Sequence, residues 1–308
     1  MKLRIVIWNL KGLSLISDST RLDRARDAFR TLSNDHETAA FALVELGDEQ
    51  ILEDLANQLG DGWTSHYGSV GKVQGSIGVL INRNWLSAVT QALKSGPYYD
   101  TGKPINRQTA SVFQVHYDKN PRFLLAVVHF KAERGGSEYH TRLLQAQWLR
   151  TELERIYSEI NLPIVIVGDF NGEPYESMFG EGGFRAHRRA DAMLRSQDSL
   201  KFYNPMWRLL PDPPTVRVRQ TSNQNQTSTP YGTFLDTIWH SLIDGVIVSS
   251  EWLEDEKHVL HDDRLEILTD AQWYHRGSQG AQHARPAGIT KDLAITDHLP
   301  IAVHLEIK

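Results

Sequence analysis

The chain has 308 residues, 40% hydrophobic and 23% charged, with a formal net charge of −5. That balance buries a sizeable core and excludes a disordered chain, and the lack of cysteine excludes disulfide frameworks, thiolate zinc sites, iron–sulfur clusters and thiol nucleophiles. The acidic sum argues against a protein that coats nucleic acid, and weighs less against an enzyme, whose local field can differ from the total.

The opening MKLRIVIWNL turns polar too soon for a signal peptide, and no run approaches the roughly 18 apolar residues of a membrane span. The expectation is a cytoplasmic protein with no membrane contact and no evident obligate protein partner. Arg4–Trp8 reads as the first strand, rich in Val and Ile. Leu22–Leu32 follows as a helix, with Leu22, Ala25, Phe29 and Leu32 on one stripe. Ala39–Val44 is a strand and Ile51–Leu59 a helix. Ser76–Ile81, Ala110–Val115 and Phe123–His129 are strands, and Glu138–Ile160 is the longest helix. Pro163–Val167, Gly245–Ser249 and Ile301–Ile307 complete the strands.

Two stretches, Gly180–Tyr231 and Trp252–Asp292, show no clear period and read as functional loops or disorder. The first holds Arg185, Arg188 and Arg189, either a track for phosphates or a solvated face. Its Trp207 is assigned to the core in preference to stacking on a base. With no repeat and no linker, the chain reads as one domain over residues 1–308. Helices between strands suggest an α/β arrangement of two sheets packed face to face and covered outside.

Acceptor side chains recur where apolar strands run out. Arg4–Trp8 ends at Asn9, Phe41–Val44 at Glu45, and Leu124–Val128 at His129. Ile164–Val167 runs into Gly168-Asp169-Phe170-Asn171, and Thr296-Asp297-His298 precedes the last strand. Each alone has an ordinary reading as a turn residue, a rim charge or a core histidine. Together they are hard oxygen ligands suited to Mg²⁺ or Mn²⁺, plus imidazoles able to contact phosphate or move a proton.

In that order the pieces resemble the endonuclease/exonuclease/phosphatase superfamily over nearly the whole chain. Arg142 with Gln145-Ala146, and the run Ile243–Ser249 that includes Asp244, agree. The resemblance implies a four-layered α/β sandwich, two packed mixed sheets flanked by helices, with the site at one end. It implies that Glu45 binds a catalytic Mg²⁺ or Mn²⁺ with Asn9 and Asp297 close by, and that Asp169 activates the attacking water. Asn171, His129 and Arg107 would hold the phosphate. His298, kept in one tautomer by Asp244, would contact it from the other side. The implied activity is a metal-dependent phosphodiester hydrolase, foremost a nuclease with DNA favoured as substrate. The alternatives are a phosphoesterase of a small molecule or lipid headgroup, and a catalytically silent binding module. Members like DNase pair the first histidine with a carboxylate from the preceding hairpin. No Asp or Glu occurs from Gly62 through Tyr99, so His129 is expected either to be less basic than in those members or to be paired from elsewhere.

Overall fold

In chain order the core elements are β1 (Lys2–Leu13), α1 (Ser19–Ser33), β2 (Thr38–Leu46), α2 (Glu49–Leu59), β3 (Trp63–Gly68), β4 (Ser76–Asn82) and β5 (Ser87–Gln91). A small hairpin of β6 (Tyr98–Asp100) and β7 (Lys103–Ile105) follows. After it come β8 (Ala110–Tyr117), β9 (Asn120–His129), α3 (Glu138–Ile160) and β10 (Ile164–Asp169). The chain then forms β11 (Ala186–His187), α4 (Arg189–Met193), β12 (Phe202–Tyr203), β13 (Phe234–Leu235), β14 (His240–Ser241) and β15 (Asp244–Ser249). It ends with β16 (His258–Leu260), β17 (Glu266–Ile267), β18 (Tyr274–His275), β19 (Arg285–Pro286) and β20 (Ile301–Ile307). This computed structural model describes all residues except 18, 36, 69–75, 92–97, 101–102, 106–109, 133–137, 194–199, 210–233, 236–239, 255, 269–273, 276–284, 287–294 and 297.

One sheet runs β16-β20-β1-β2-β4-β3, with β17 also on β20; the other runs β11-β12-β15-β10-β9-β8-β5. Both are mixed. β1 and β2 are parallel, as are β9 and β10, while β20, β4, β8 and β15 lie antiparallel to these neighbours. Alternation along each strand divides its side chains between two apolar layers. Ile5, Ile7, Val44, Val127, Val165, Val246 and Val303 meet between the sheets. Val6, Trp8, Phe41 and Leu43 face outward and are covered by Leu22, Phe29, Leu52 and Leu55 of α1 and α2. Leu124, Ala126, Ile164 and Ile166 face the other way, under Ala146, Leu149, Leu153 and Ile156 of α3. The result is a four-layered sandwich, helix on sheet on sheet on helix.

Local chemistry fixes the helix positions. Asp48 caps α2 by accepting the Ile51 N–H at 2.8 Å, and Gly60 ends the helix at φ 95°. Phe29 packs between Trp8 and Phe41 in tilted contacts, with ring centroids 5.5 and 4.9 Å away, so its loss costs about 3–5 kcal/mol. Part of the stretch from Gly180, expected to be irregular, is regular among the described residues: β11 and β12 extend the second sheet, α4 falls between them in the chain, and Pro205–Leu209 form a short turn of helix, while residues 194–199 and 210–233 lie outside the described residues. Among the described residues, no helix is long and apolar enough to cross a membrane.

Candidate active site at one end of the sheet sandwich

The site is the end of the inter-sheet core. Asn9 continues the inward column of Ile5 and Ile7, His129 that of Leu125 and Val127, and Asp169 that of Val165 and Val167. Asp244 begins the column of Val246 and Val248. Pairing register then aligns His129 with Asp169 and Asp169 with Asp244, one row across β9, β10 and β15. On the facing sheet, Asn9 pairs with Val44, and Ile7 pairs with Ile301, which places His298 at the same rim.

Glu45 arrives by a different route. Val44 packs between the sheets and Leu46 packs outward, so Glu45 is an extra residue at a register shift. It takes φ 53°, a bulge conformation that re-aims its carboxylate. Gly168 has φ +133°, and a Cβ there would lie 2.1 Å from the Val128 carbonyl oxygen, so only glycine allows β10 to lie this close to β9.

The polar groups converge tightly. Asn9 Nδ2 donates to Glu45 Oε1 at 3.0 Å and to Asp169 Oδ2 at 2.9 Å, while Asn9 Oδ1 accepts the Lys11 N–H at 2.9 Å. His129 Nε2 lies 3.2 Å from Glu45 Oε1, so the partner of His129 comes from across the sandwich. Asp169 Oδ1 accepts the Asn171 N–H at 2.7 Å, and Asn171 Nδ2 donates to the Phe130 carbonyl at 2.9 Å. His298 Nδ1 meets Asp244 Oδ2 at 2.8 Å. The His298 backbone is held by Trp8 Nε1 on its carbonyl at 3.0 Å and by Thr296 Oγ1 on its N–H at 3.2 Å.

Charge in this pocket is uneven. Burial works against ionisation of Glu45, but the hydrogen bond and charge of His129 and the Asn9 amide outweigh it and hold the carboxyl at about 2. For Asp169, burial and then the Asp244 carboxylate prevail over His298, His129 and the Asn171 N–H, pushing it up to about 6. Burial opposes protonation of His129, yet its hydrogen bond to Glu45 and the charges of Asp169 and Glu45 raise its pKa above the ordinary imidazole value.

Among the described residues, two groups of possible metal ligands share Asp169: Glu45 with His129, and Asp244 with His298; within each group the ligand atoms lie within 4.8 Å of one another. Carboxylate oxygens with imidazole and no thiolate match a hard divalent cation. Of the residues read from the sequence, Asn9, Glu45, His129, Asp169, Asn171, Asp244 and His298 are brought together. Arg107 and Asp297 lie outside the described residues.

Several residues support the site; Arg142 and Gln145 are among the pieces that carry the resemblance in the sequence, whereas Arg21 and Glu173 carry no local sequence signal. Arg21 of α1 reaches Leu10 O at 2.7 Å and Ile295 O at 2.8 Å, tying the end of β1 to the approach to His298. Gln145 accepts the Lys131 N–H at 3.1 Å, and the buried Arg142 donates to Glu176 at 2.8 Å, so α3 braces both the His129 and the Asn171 loops. Glu173 of the same loop accepts the Leu242 N–H at 3.0 Å, just before Asp244.

The arginine stretch is elsewhere. The Phe202 N–H reaches Arg185 O, and Phe202 pairs with Ser249, at the end of β15 away from Asp244; five residues of strand amount to about 16 Å. Arg185, Arg188 and Arg189 pair with Glu154 and Glu181, with Asp191, and with Asp262. Trp207, expected in the core, is 40% exposed.

The sequence model of the endonuclease/exonuclease/phosphatase family matches residues 6–263. The chain belongs to that family. Members of the endonuclease/exonuclease/phosphatase family are phosphoesterase hydrolases that depend on a divalent metal. Nocturnin of Xenopus laevis is 30% identical over 116 residues, which cover 38% of this chain and 26% of the relative. Nocturnin of Rattus norvegicus is 28% identical over 120 residues, 39% and 24%. The aligned stretch thus spans about a quarter of those relatives' length.

Among solved structures, the human nocturnin catalytic domain with a bound sulfate anion has a TM-score of 0.57 at 14% identity, covering 100% of this chain and 95% of that one. A Bacteroides thetaiotaomicron mannosyl-6-phosphatase gives 0.61 at 16%, covering 99% and 100%. D. rerio TDP2 complexed with a single strand DNA product gives 0.58 at 14%, covering 99% of each. At these identities the likeness is one of fold, the sandwich shared by the family.

Proposed function

We propose that this chain is a Mg²⁺- or Mn²⁺-dependent nuclease, with DNA favoured as substrate, and that residues 1–308 act as one catalytic domain. The observation that carries the reading is the convergence of His129, Asp169 and Asp244 from one sheet with Asn9, Glu45 and His298 from the other. Hydrolysis of a phosphodiester builds negative charge on the phosphate and leaving oxygens. Glu45, ionised down to about 2, is assigned as the main metal ligand with Asp297 close by. When bound, a divalent ion there supplies charge neutralisation at the phosphate.

The protein's own groups do the rest. Asp169 accepts the proton of the attacking water while the water oxygen bonds to phosphorus and the bond to the leaving oxygen breaks. Hydrogen bonds from Asn9 and Asn171 to its two oxygens fix its aim. Asn9, which donates to both carboxylates, is assigned to orienting them. His129, in a setting that favours its protonated form, donates to a non-bridging oxygen. With Nδ1 engaged by Asp244, His298 addresses the phosphate through Nε2. Asn171 has one amide proton on Phe130 O, and the second is assigned to a phosphate oxygen. Arg107 is assigned to gripping the phosphate.

Structural relatives lend support to both leading alternatives. TDP2 holds a single strand DNA product, and the Bacteroides protein is a mannosyl-6-phosphatase. A small phosphoester as substrate is favoured by the net charge of −5 and by the arginine stretch being turned away and paired. A substrate panel decides: supercoiled plasmid, single-stranded DNA, RNA and small phosphomonoesters, each with Mg²⁺, Mn²⁺ or EDTA. The nuclease reading expects metal-dependent cleavage of a polymer, lost in Glu45→Gln. Turnover of monoesters alone would sink it, and full activity in EDTA would sink the metal dependence.

A further inference from the structure

We infer that Tyr175 and Trp207 form a stacking platform for nucleobases beside the catalytic groups. The inference rests on the nuclease reading and specifies how that substrate is held. Three aromatic side chains among the described residues are exposed: Tyr117, Tyr175 at 65% and, in part, Trp207 at 40%. Tyr117 belongs to the far end of the sandwich, where it pairs with Asn120 and lies under the Arg122 guanidinium, 5.7 Å from its ring centroid. The other two belong to the catalytic end.

Tyr175 stands four residues after Asn171, in a loop with little freedom. Glu176 of this loop accepts the Glu173 N–H at 3.0 Å and an Arg142 N–H at 2.8 Å, and Pro174 is buried. Trp207 is reached along β12. That strand runs antiparallel to β15, so after Tyr203, opposite Val248, the chain climbs towards Asp244. Met206 then packs so close to Gly245 that a Cβ there would lie 3.2 Å from Met206 Cγ.

One fully buried side chain joins the two segments. Asn204 donates through Nδ2 to the carbonyl of Pro174 at 3.4 Å and accepts the Met206 N–H on Oδ1 at 3.0 Å. The residues after these two partners are Tyr175 and Trp207. A buried amide thus fixes the backbone of both exposed rings to each other and to the loop of Asn171. Exposing a Trp and a Tyr forgoes burial of large apolar surface, and rings held on a fixed frame are what an unpaired base stacks on without sequence preference.

The test uses the whole 308-residue chain and two single-stranded oligomers of equal length, one with natural bases and one with abasic sugars. Binding is measured by fluorescence anisotropy in EDTA, and KM and kcat in Mg²⁺. Tyr175→Ala and Trp207→Ala should each weaken binding of the natural oligomer by roughly 5- to 100-fold, without changing its salt slope. Affinity for the abasic oligomer and kcat should stay as in the wild type. Tyr175→Phe and Trp207→Phe, which keep a ring, should restore most of the loss, and unchanged thermal midpoints should show that the variants fold. If the wild type cleaves the natural oligomer and the Ala variants bind it equally well, or lose both oligomers equally, the platform is refuted while the nuclease reading stands. If the wild type binds neither oligomer yet hydrolyses a phosphomonoester, both fall.

Discussion

Replacing Asp169 by Asn should make the metal-free protein more stable while removing its turnover. The Asp169 carboxyl sits buried beside Asp244, and its pKa is raised from 3.8 to about 6. Keeping it ionised at neutral pH therefore costs the folded state about 3 kcal/mol. An Asn side chain removes that charge. Its oxygen can still accept the Asn171 N–H, but its NH₂ then confronts Asn9 Nδ2, which gives back about 1 kcal/mol. The net gain is about 2 kcal/mol, or roughly 3 °C in Tm for a chain of 308 residues. The pH dependence has a definite sign. A folded-state pKa above the unfolded one gives stability that is complete below 3.8 and lost as pH rises through about 6. The variant's advantage should thus grow between about pH 4 and pH 7 and then level off. Thermal unfolding in EDTA across that range measures it, and kcat in Mg²⁺ should fall on the order of 10²-fold or more. A variant no more stable than wild type at pH 8, or a gain independent of pH, would refute the reasoning.

Three further outcomes follow from single contacts. Asp244→Asn should leave His298 in the wrong tautomer and lower kcat on the order of 10²-fold with KM little changed; steady-state kinetics near wild-type values would remove this pair from the chemistry. Arg142→Ala empties a buried site and strips the partly exposed Glu176 of its cation; it should destabilise the fold by about 2–3 kcal/mol in urea titrations, with Arg142→Lys recovering part of it. Gly168→Ala forces a Cβ against the Val128 carbonyl at positive φ, and a loss on the order of 3 kcal/mol or more is expected; a denaturation midpoint like that of the wild type would contradict the close approach of β9 and β10.

Period and apolar runs made most of the framework legible. The expected helix Glu138–Ile160 is α3 to the residue, and every expected strand lies in an observed one, save that Pro163 falls just before β10. Asn9, His129 and Asp169 were legible for a physical reason, since each takes the next inward place of an alternating strand. Glu45 had no such place, because a bulge at positive φ breaks the alternation that sequence reading relies on. Its contact with His129 joins residues of different sheets, which no local pattern encodes. β3 went unread because its Thr, Ser and His residues, half-buried at a sheet edge, resemble a loop. The arginine stretch looked functional by composition, while register puts Arg185 near the far end of β15. Trp207 misled in the opposite sense: its size suggested the interior, and its position after Asn204 and Met206 holds it at the surface.

The catalytic groups are contributed from two sides of a seam. Asn9, Glu45 and His298 ride on one sheet, His129, Asp169 and Asp244 on the other, and bonds of 2.9 to 3.2 Å span the gap. That gap is set by the volume of the side chains below it, among them Ile7, Val127 and Val167. The layer of hydrocarbon therefore acts as a spacer gauge for the chemistry above. Enlarging a methyl group in that layer, far from any substrate, would pry apart the Asn9–Asp169 and Glu45–His129 contacts while the protein remained folded. Hydrostatic pressure, by thinning the same layer, would press them together.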